Sequence, residues 1–176
     1  SHFNHEDIAK QLQATKSIND SISLVGKAII EDFDFKRVLV GKVSVAEIAK
    51  LMVKHGDALL EKNIRTFLGI NKNRVNQSIQ ETLLNEAKRK NFYFFNNGIT
   101  MLCSKFSHNA LMNENWQLNI NDLQIINGGQ TSKIIFHVIT ENPDIDFSKT
   151  TVLLRLYEVS DGDNTANTLT TDITIA

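Results

Sequence analysis

The sequence lacks several features that mark large classes of proteins. Its 176 residues include one cysteine, Cys103, which excludes a disulfide framework and a CxxC zinc site. No apolar run approaches the roughly 18 residues that a membrane-spanning helix needs, and nothing at the start resembles a signal peptide. The only proline, Pro143, lies in a polar turn, and no Pro/Gly-rich linker or internal repeat divides the chain. We therefore expect a soluble, cytoplasmic domain without a membrane partner.

Net charge is also nearly absent. The formal charge is -1, and a composition of 41% hydrophobic and 22% charged residues suits a folded core rather than a disordered chain. The five histidines are scattered without metal-ligand spacing, so we expect no metal site, and no motif points to a cofactor. Because the chain stops within an amphipathic pattern at Ala176, we expect it to be a piece of a longer protein that has further flanking regions.

Hydrophobic periodicity predicts helices in the first part of the chain. Apolar residues recur at roughly helical intervals over residues 6–31, which predicts one or two helices there. Ser44 precedes Glu47 by three residues, and this capping box predicts a helix over residues 45–55. Gly56 is a suitable residue to end that helix.

Short strands and helices alternate in the rest of the sequence. The predicted strands lie around residues 38–43 and over 99–106, 116–120, 123–126 and 152–159, and the predicted helices lie over about 73–88 and 130–140. This order predicts an α+β (mixed α/β) fold. We expect an N-terminal helical segment over residues 1–37 and, over residues 38–176, a domain with a small mixed sheet and flanking helices.

The first of three unusual segments is a basic stretch around Arg65. Residues 62–90 contain seven Lys and Arg against two Glu, and the planar guanidinium of Arg65 can offer several donors to a phosphate. The same charges also suit the solvated side of a helix, and Arg65 also suits a structural ion pair. If this stretch faces a nucleic acid, the residues expected to contact its phosphates are Arg65, Arg74, Lys88, Arg89 and Lys90.

The second segment joins an aromatic run to a turn. Residues 92–95 are four consecutive aromatic residues, a pattern that builds a core more often than it stacks on a nucleic-acid base. Asn96, Asn97 and Gly98 follow the run. They either close a plain hairpin turn or display amide groups to a ligand.

The third segment is a strand that ends in two glycines and continues as a helix. Two glycines let the backbone approach a ligand closely, and the N–H groups of the first helical turn attract an anion. The spacing of a Walker A loop is absent, and the pattern also fits a helix that has a good N-terminus and no ligand. The candidate ligand-binding residues of this segment are Asn127, Gly128, Gly129, Gln130, Thr131 and Ser132.

In combination, the three segments resemble the AIPR family, the abortive infection phage resistance proteins of bacteria. The similar blocks are residues 63–69 with 75–76, 95–100 and 125–131, in the expected order. The resemblance implies a role in antiviral defence. More distantly, the third block is similar to the Asp-Gly-x-His-Arg block of ParB-like and DGQHR-type domains. Asn127 replaces the acid of that block and Thr131 its arginine, so this likeness implies a phosphate-facing pocket rather than ParB-type catalysis.

We predict that the domain binds a nucleic acid or a nucleotide phosphate in a cleft between the three segments. Arg65, Asn96, Asn97 and residues 127–132 are expected to surround the phosphates. One alternative is an enzyme that acts on phosphate esters, a nuclease or phosphotransferase, which needs a general base or metal-binding carboxylates. The three similar blocks themselves contain no Asp, Glu or His that could supply them, so no catalytic residue is assigned. The other alternative is a scaffold that presents its flanking regions to partner proteins.

Overall fold

The computed structural model describes residues 18–33, 36–60, 74–109 and 115–159. Within these ranges the chain is α+β, as the sequence predicted. The strands are β1 (Asp20–Ser23), β2 (Ile29–Phe33), β3 (Lys36–Ser44), β4 (Ile99–Cys103), β5 (Lys105–Asn109), β6 (Gln117–Asn121), β7 (Gln124–Asn127) and β8 (Thr151–Val159). The α-helices are α1 (Val45–His55), α2 (Arg74–Leu84), α3 (Glu86–Arg89) and α4 (Gly129–Glu141), and short 3₁₀ helices cover Gly56–Leu60 and Phe92–Phe94.

The described strands form two sheets. The larger sheet has the strand order β2-β3-β8-β4-β7, and the smaller one has the order β1-β6-β5. Strands β4 and β8 run parallel, whereas their other pairings are antiparallel. On β8 the alternating residues Val152, Leu154 and Leu156 are fully buried, so this side of the strand faces the core. Helices α1 and α4 pack against each other.

The prediction of helices over residues 6–31 is wrong for the part that the structure describes. Residues 20–23 and 29–33 are strands, which pair with β6 and β3. A spacing of four residues also places side chains on one face of a strand, because four is a multiple of the strand period of two. Gly26 has a φ of +78° and interrupts any helix between the two strands. Residues 6–17 lie outside the described residues.

The prediction for helix α1 is confirmed, including both of its ends. The Ser44 side chain accepts a hydrogen bond from the Ala46 N–H at 3.1 Å, and Gly56 follows the last helical residue with a φ of +56°. The helix predicted over 73–88 is instead two helices. Asn85 separates them, because its side-chain oxygen accepts from two N–H groups of α3 and caps that helix.

The single strand predicted over residues 99–106 is also two strands. It breaks at Ser104, whose N–H donates to the Asn121 carbonyl at 3.0 Å, so β4 belongs to the large sheet and β5 to the small one. Arg37 of β3 connects the two sheets. Its guanidinium lies 4.4 Å from the ring centroid of Phe106 on β5 and 3.5 Å from the Glu158 carboxylate on β8.

A second polar link joins the small sheet to α1. The Asp20 carboxylate of β1 lies 2.6 Å from His55 Nε2 and 3.4 Å from Lys54 Nζ, at the end of the helix. Burial raises the pKa of Asp20, but the His55 hydrogen bond, the Ser21 N–H and Lys54 together lower it below its ordinary value. The carboxylate is therefore held in its charged form.

Cys103 lies in the core, at the end of β4. Burial, reinforced by the negative charge of nearby Glu158, raises the pKa of its thiol to about 12. This thiol is therefore unreactive in the folded protein. None of the helices that the structure describes is long and apolar enough to cross a membrane.

Candidate functional site

The second and third segments of the sequence meet, backbone against backbone. Gly98 has a φ of +86° and Gly128 a φ of +87°. A Cβ atom placed on Gly128 would stand 2.8 Å from the Gly98 carbonyl oxygen and 3.1 Å from Ile99 Cα. This approach requires glycine, since a side chain at residue 128 would overlap main-chain atoms that cannot rotate away. The turn before β4 and the start of α4 are therefore in direct backbone contact.

Strand pairing explains why these segments meet. β4 lies between β7 and β8, so Thr100 of β4 is opposite Asn127 of β7 on one side and opposite Arg155 of β8 on the other. Residues directly opposite each other point to the same face of a sheet. The buried Thr100 therefore has a polar partner residue on each neighbouring strand, and the β4–β7 register shifts directly after it.

Sequence reasoning missed Arg155. Its guanidinium donates a hydrogen bond to the Asn97 carbonyl at 3.1 Å and so joins β8 to the turn of the second segment. The available signal was a charged residue between two apolar neighbours, Leu154 and Leu156, in a predicted strand. Such a residue in a central strand needs a polar partner, although the pattern does not identify which one.

The Asn96-Asn97-Gly98 turn uses one of its two amide side chains internally. The Asn96 side-chain oxygen accepts a hydrogen bond from the Gly98 N–H at 2.8 Å, the geometry of an Asx turn. The Asn97 side chain is exposed to solvent. Of the two predicted ligand-binding asparagines, Asn97 therefore displays its amide more fully.

The first turn of α4 begins at Gly128. Both the N–H and the hydroxyl of Ser132 donate to the Gly128 carbonyl at 2.9 Å, and Ser132 is fully buried. This hydroxyl therefore stabilises the glycine turn. Gln130 and Thr131 are half-buried. Because the residue that caps the helix is glycine, no side-chain oxygen of the cap accepts a hydrogen bond from the N–H groups of residues 129–131.

The first segment cannot be placed beside the other two, because Arg65 lies outside the described residues. The 3₁₀ helix Gly56–Leu60, which contacts β7, comes shortly before it in the chain. Asp57 of this helix lies 3.1 Å from Lys133 of α4. Two of the three segments thus contact each other, whereas the cleft and the place of Arg65 in it stay predictions.

The other basic candidates differ in their surroundings. Arg74 is the first residue of α2, and its side chain lies outside the described part. Lys88 and Lys90 are exposed. The Arg89 guanidinium donates to the Leu83 carbonyl at 2.7 Å and lies 5.3 Å from the centroid of the Phe147 ring, a residue that follows the C-terminal end of α4. Arg89 therefore makes intramolecular contacts near the C-terminal end of α4, whereas Gly128 lies at the N-terminal end of that helix.

The aromatic run departs from the expectation of a core. Phe92 is buried, with 1% of its surface exposed, but Phe94 is 76% and Phe95 is 65% exposed. The short 3₁₀ helix Phe92–Phe94 turns successive side chains in different directions, so only part of the run can face inward. Two large apolar rings consequently stand in solvent directly before the Asn96-Asn97-Gly98 turn.

Comparison with known proteins gives one match. The profile of a protein family described as AIPR protein matches residues 60–176, which include all three segments. No curated protein and no solved structure matches the chain. The distant likeness to ParB-like domains therefore stays a prediction. Among the described residues, no three His, Cys, Asp or Glu side chains are grouped so that they could hold a metal ion.

Proposed function

This chain belongs to the AIPR family, and from that premise we propose that it binds the phosphate groups of a nucleic acid or nucleotide at the start of α4. The family assignment supports a role in abortive infection and phage resistance. The observation that carries the molecular proposal is the contact between Gly98 and Gly128, which joins two polar segments at one helix N-terminus.

The N-terminal turn of α4 is chemically suited to an anion. Its first N–H groups have no acceptor within the helix, and the helix dipole adds positive potential at this end. In the ranges that the structure describes, no carboxylate caps these groups, and the nearby carboxylate of Asp57 is paired with Lys133. The half-buried Gln130 and Thr131 lie in this first turn.

Asn127 and Arg155 add further polar groups to the proposed site. The Asn127 side chain adds amide donors and an acceptor next to the helix start, and Arg155 adds a positive charge at the Asn97 turn, whose carbonyl accepts a hydrogen bond from its guanidinium. Amides, hydroxyls and backbone N–H groups orient and bind a phosphate, whereas abstraction of a proton needs a base. These groups favour binding over catalysis.

Binding and stability measurements on the same variants test this proposal. We expect Asn127→Ala and Gln130→Ala to weaken the affinity for inorganic phosphate, nucleotides or oligonucleotides, measured by calorimetry, and to change the melting temperature by only a few degrees. Asn119→Ala, on an exposed position of β6, is the matched control and should change neither quantity. If Asn127 is only structural, its loss leaves affinity unchanged and costs about 1 kcal/mol or more of stability.

A hydrolysis screen separates binding from the enzyme alternative. Nucleotides and nucleic acids are incubated with the protein in the presence of Mg²⁺ or Mn²⁺, and products are quantified. We expect binding without turnover. Metal-dependent hydrolysis that Asn127→Ala abolishes would replace the binding function with a nuclease or phosphotransferase function.

A further inference from the structure

Phe94 and Phe95 form an exposed aromatic pair, 76% and 65% accessible to solvent. Single exposed apolar side chains are common on protein surfaces, whereas adjacent large ones mark surfaces that meet a partner. The pair is not required by the core, because Phe92 alone fills the buried position of this turn. Its exposure therefore indicates an interaction site.

The backbone holds the exposed pair in a fixed position. The Phe94 N–H donates to the Asn91 carbonyl at 2.9 Å, and the Phe95 N–H donates to the Phe92 carbonyl at 3.1 Å. The Tyr93 ring meets the Phe94 ring edge-on, with centroids 5.5 Å apart. Rings that are already ordered lose little freedom when a flat ligand stacks on them.

Lysines lie shortly before the exposed pair in the chain and beside the adjoining Tyr93 ring. Lys88 and Lys90 are exposed just before it in the chain, and in the described part neither ammonium group pairs with a carboxylate. Lys42 Nζ lies 6.0 Å from the Tyr93 ring centroid. Aromatic rings among lysines suit a partner that has both flat apolar faces and negative charge, which is the chemistry of an unpaired nucleic-acid strand.

The exposed pair also adjoins the proposed phosphate site. Phe95 precedes Gly98 by three residues, so their Cα atoms lie at most about 11 Å apart, and the Gly98 carbonyl abuts Gly128 at the start of α4. One strand of nucleic acid can therefore contact both places. Bases in a duplex are already stacked on each other, whereas unpaired bases are free to stack on protein rings.

We propose that Phe94 and Phe95 are a stacking platform for the bases of a single-stranded nucleic acid whose phosphates contact Lys88, Lys90 and the start of α4. This inference rests on the proposed function and narrows its ligand from any phosphate-bearing molecule to an unpaired strand.

Fluorescence anisotropy with labelled single strands of about 12 nucleotides, within the size range of such sites, tests the inference. Phe94→Ala and Phe95→Ala should each weaken binding by about 5- to 150-fold, and Phe94→Tyr, which keeps the ring, should bind like the wild type. Phe33→Ala removes a ring that is 52% exposed on β2 and should have no effect. A strand of the same length without bases should bind weakly to every variant.

The outcomes distinguish failure of this inference from failure of the proposed function. If both Ala variants bind as the wild type does, or if the strand without bases binds equally well, the stacking platform is refuted while phosphate binding stands. If inorganic phosphate, nucleotides and oligonucleotides all fail to bind, both ideas fall together. Self-association in analytical ultracentrifugation that Phe94→Ala abolishes would also overturn the inference, because the pair would then join two copies of the chain.

Discussion

The contact between Gly98 and Gly128 predicts a large loss of stability when Gly128 becomes alanine. At a φ of +87° an alanine is strained by about 1–2 kcal/mol. Its Cβ would also stand 2.8 Å from the Gly98 carbonyl oxygen and 3.1 Å from Ile99 Cα. These are main-chain atoms of the turn and of β4, so relief requires a shift of the strand, and such overpacking costs about 1–3 kcal/mol. The expected loss is about 2–5 kcal/mol.

Thermal and urea unfolding of matched variants measure this loss. Gly26→Ala is the control, because Gly26 has a φ of +78° but no atom within 4 Å of a new Cβ, so only the strain of about 1–2 kcal/mol applies. For a protein of this size each kcal/mol lowers the melting temperature by about 2–4 °C. Gly128→Ala should therefore melt roughly 4–20 °C lower. Equal losses in the two variants would refute the close approach of the two segments.

Three further predictions concern single side chains and salt. Because the pKa of Asp20 is lowered, the wild type should lose free energy of unfolding as the pH falls below 3.8, the ordinary value; Asp20→Asn should flatten this loss in urea titrations, and an unchanged curve would contradict the link to His55. Cys103 should resist thiol reagents at neutral pH until the protein unfolds, and labelling of the folded protein would contradict its burial. Affinity for nucleic acid should fall steeply between about 50 and 200 mM salt, and Arg65→Ala with Arg74→Ala should weaken binding to all sequences alike. No gel retardation at low salt would instead favour a nucleotide or protein ligand.

Features fixed by neighbours in the chain could be predicted from the sequence. The start of α1 depends on Ser44 and an N–H two residues later, and its end depends on Gly56, so a short window of sequence contains the cause. The same holds for the buried face of β8, where alternation alone identifies Leu154 and Leu156. Interactions between residues close in sequence thus define these elements, so they can be predicted without knowledge of distant pairing partners.

Features fixed by distant partners could not be predicted. Residues 20–33 have spacings that fit helix and strand alike, and their pairing with β6 and β3 decided the outcome. The break at Ser104 depends on the carbonyl of Asn121. In the candidate site, the polar and glycine residues of two segments indicated a shared surface, but Arg155 joined it only through strand register.

Strand β8 has a consequence for how the chain folds during synthesis. It is the last strand in the described sequence, yet it lies between β3 and β4 at the middle of the larger sheet. Until Thr151–Val159 leaves the ribosome, β2 with β3 and β4 with β7 are two half-sheets that share no strand, and each presents an open edge. The pairing of Ser44 with Thr151 must then form across a long intervening segment, and contacts between residues so distant in sequence form slowly. A stalled or cut chain that ends before β8 would thus be prone to aggregate through those open edges.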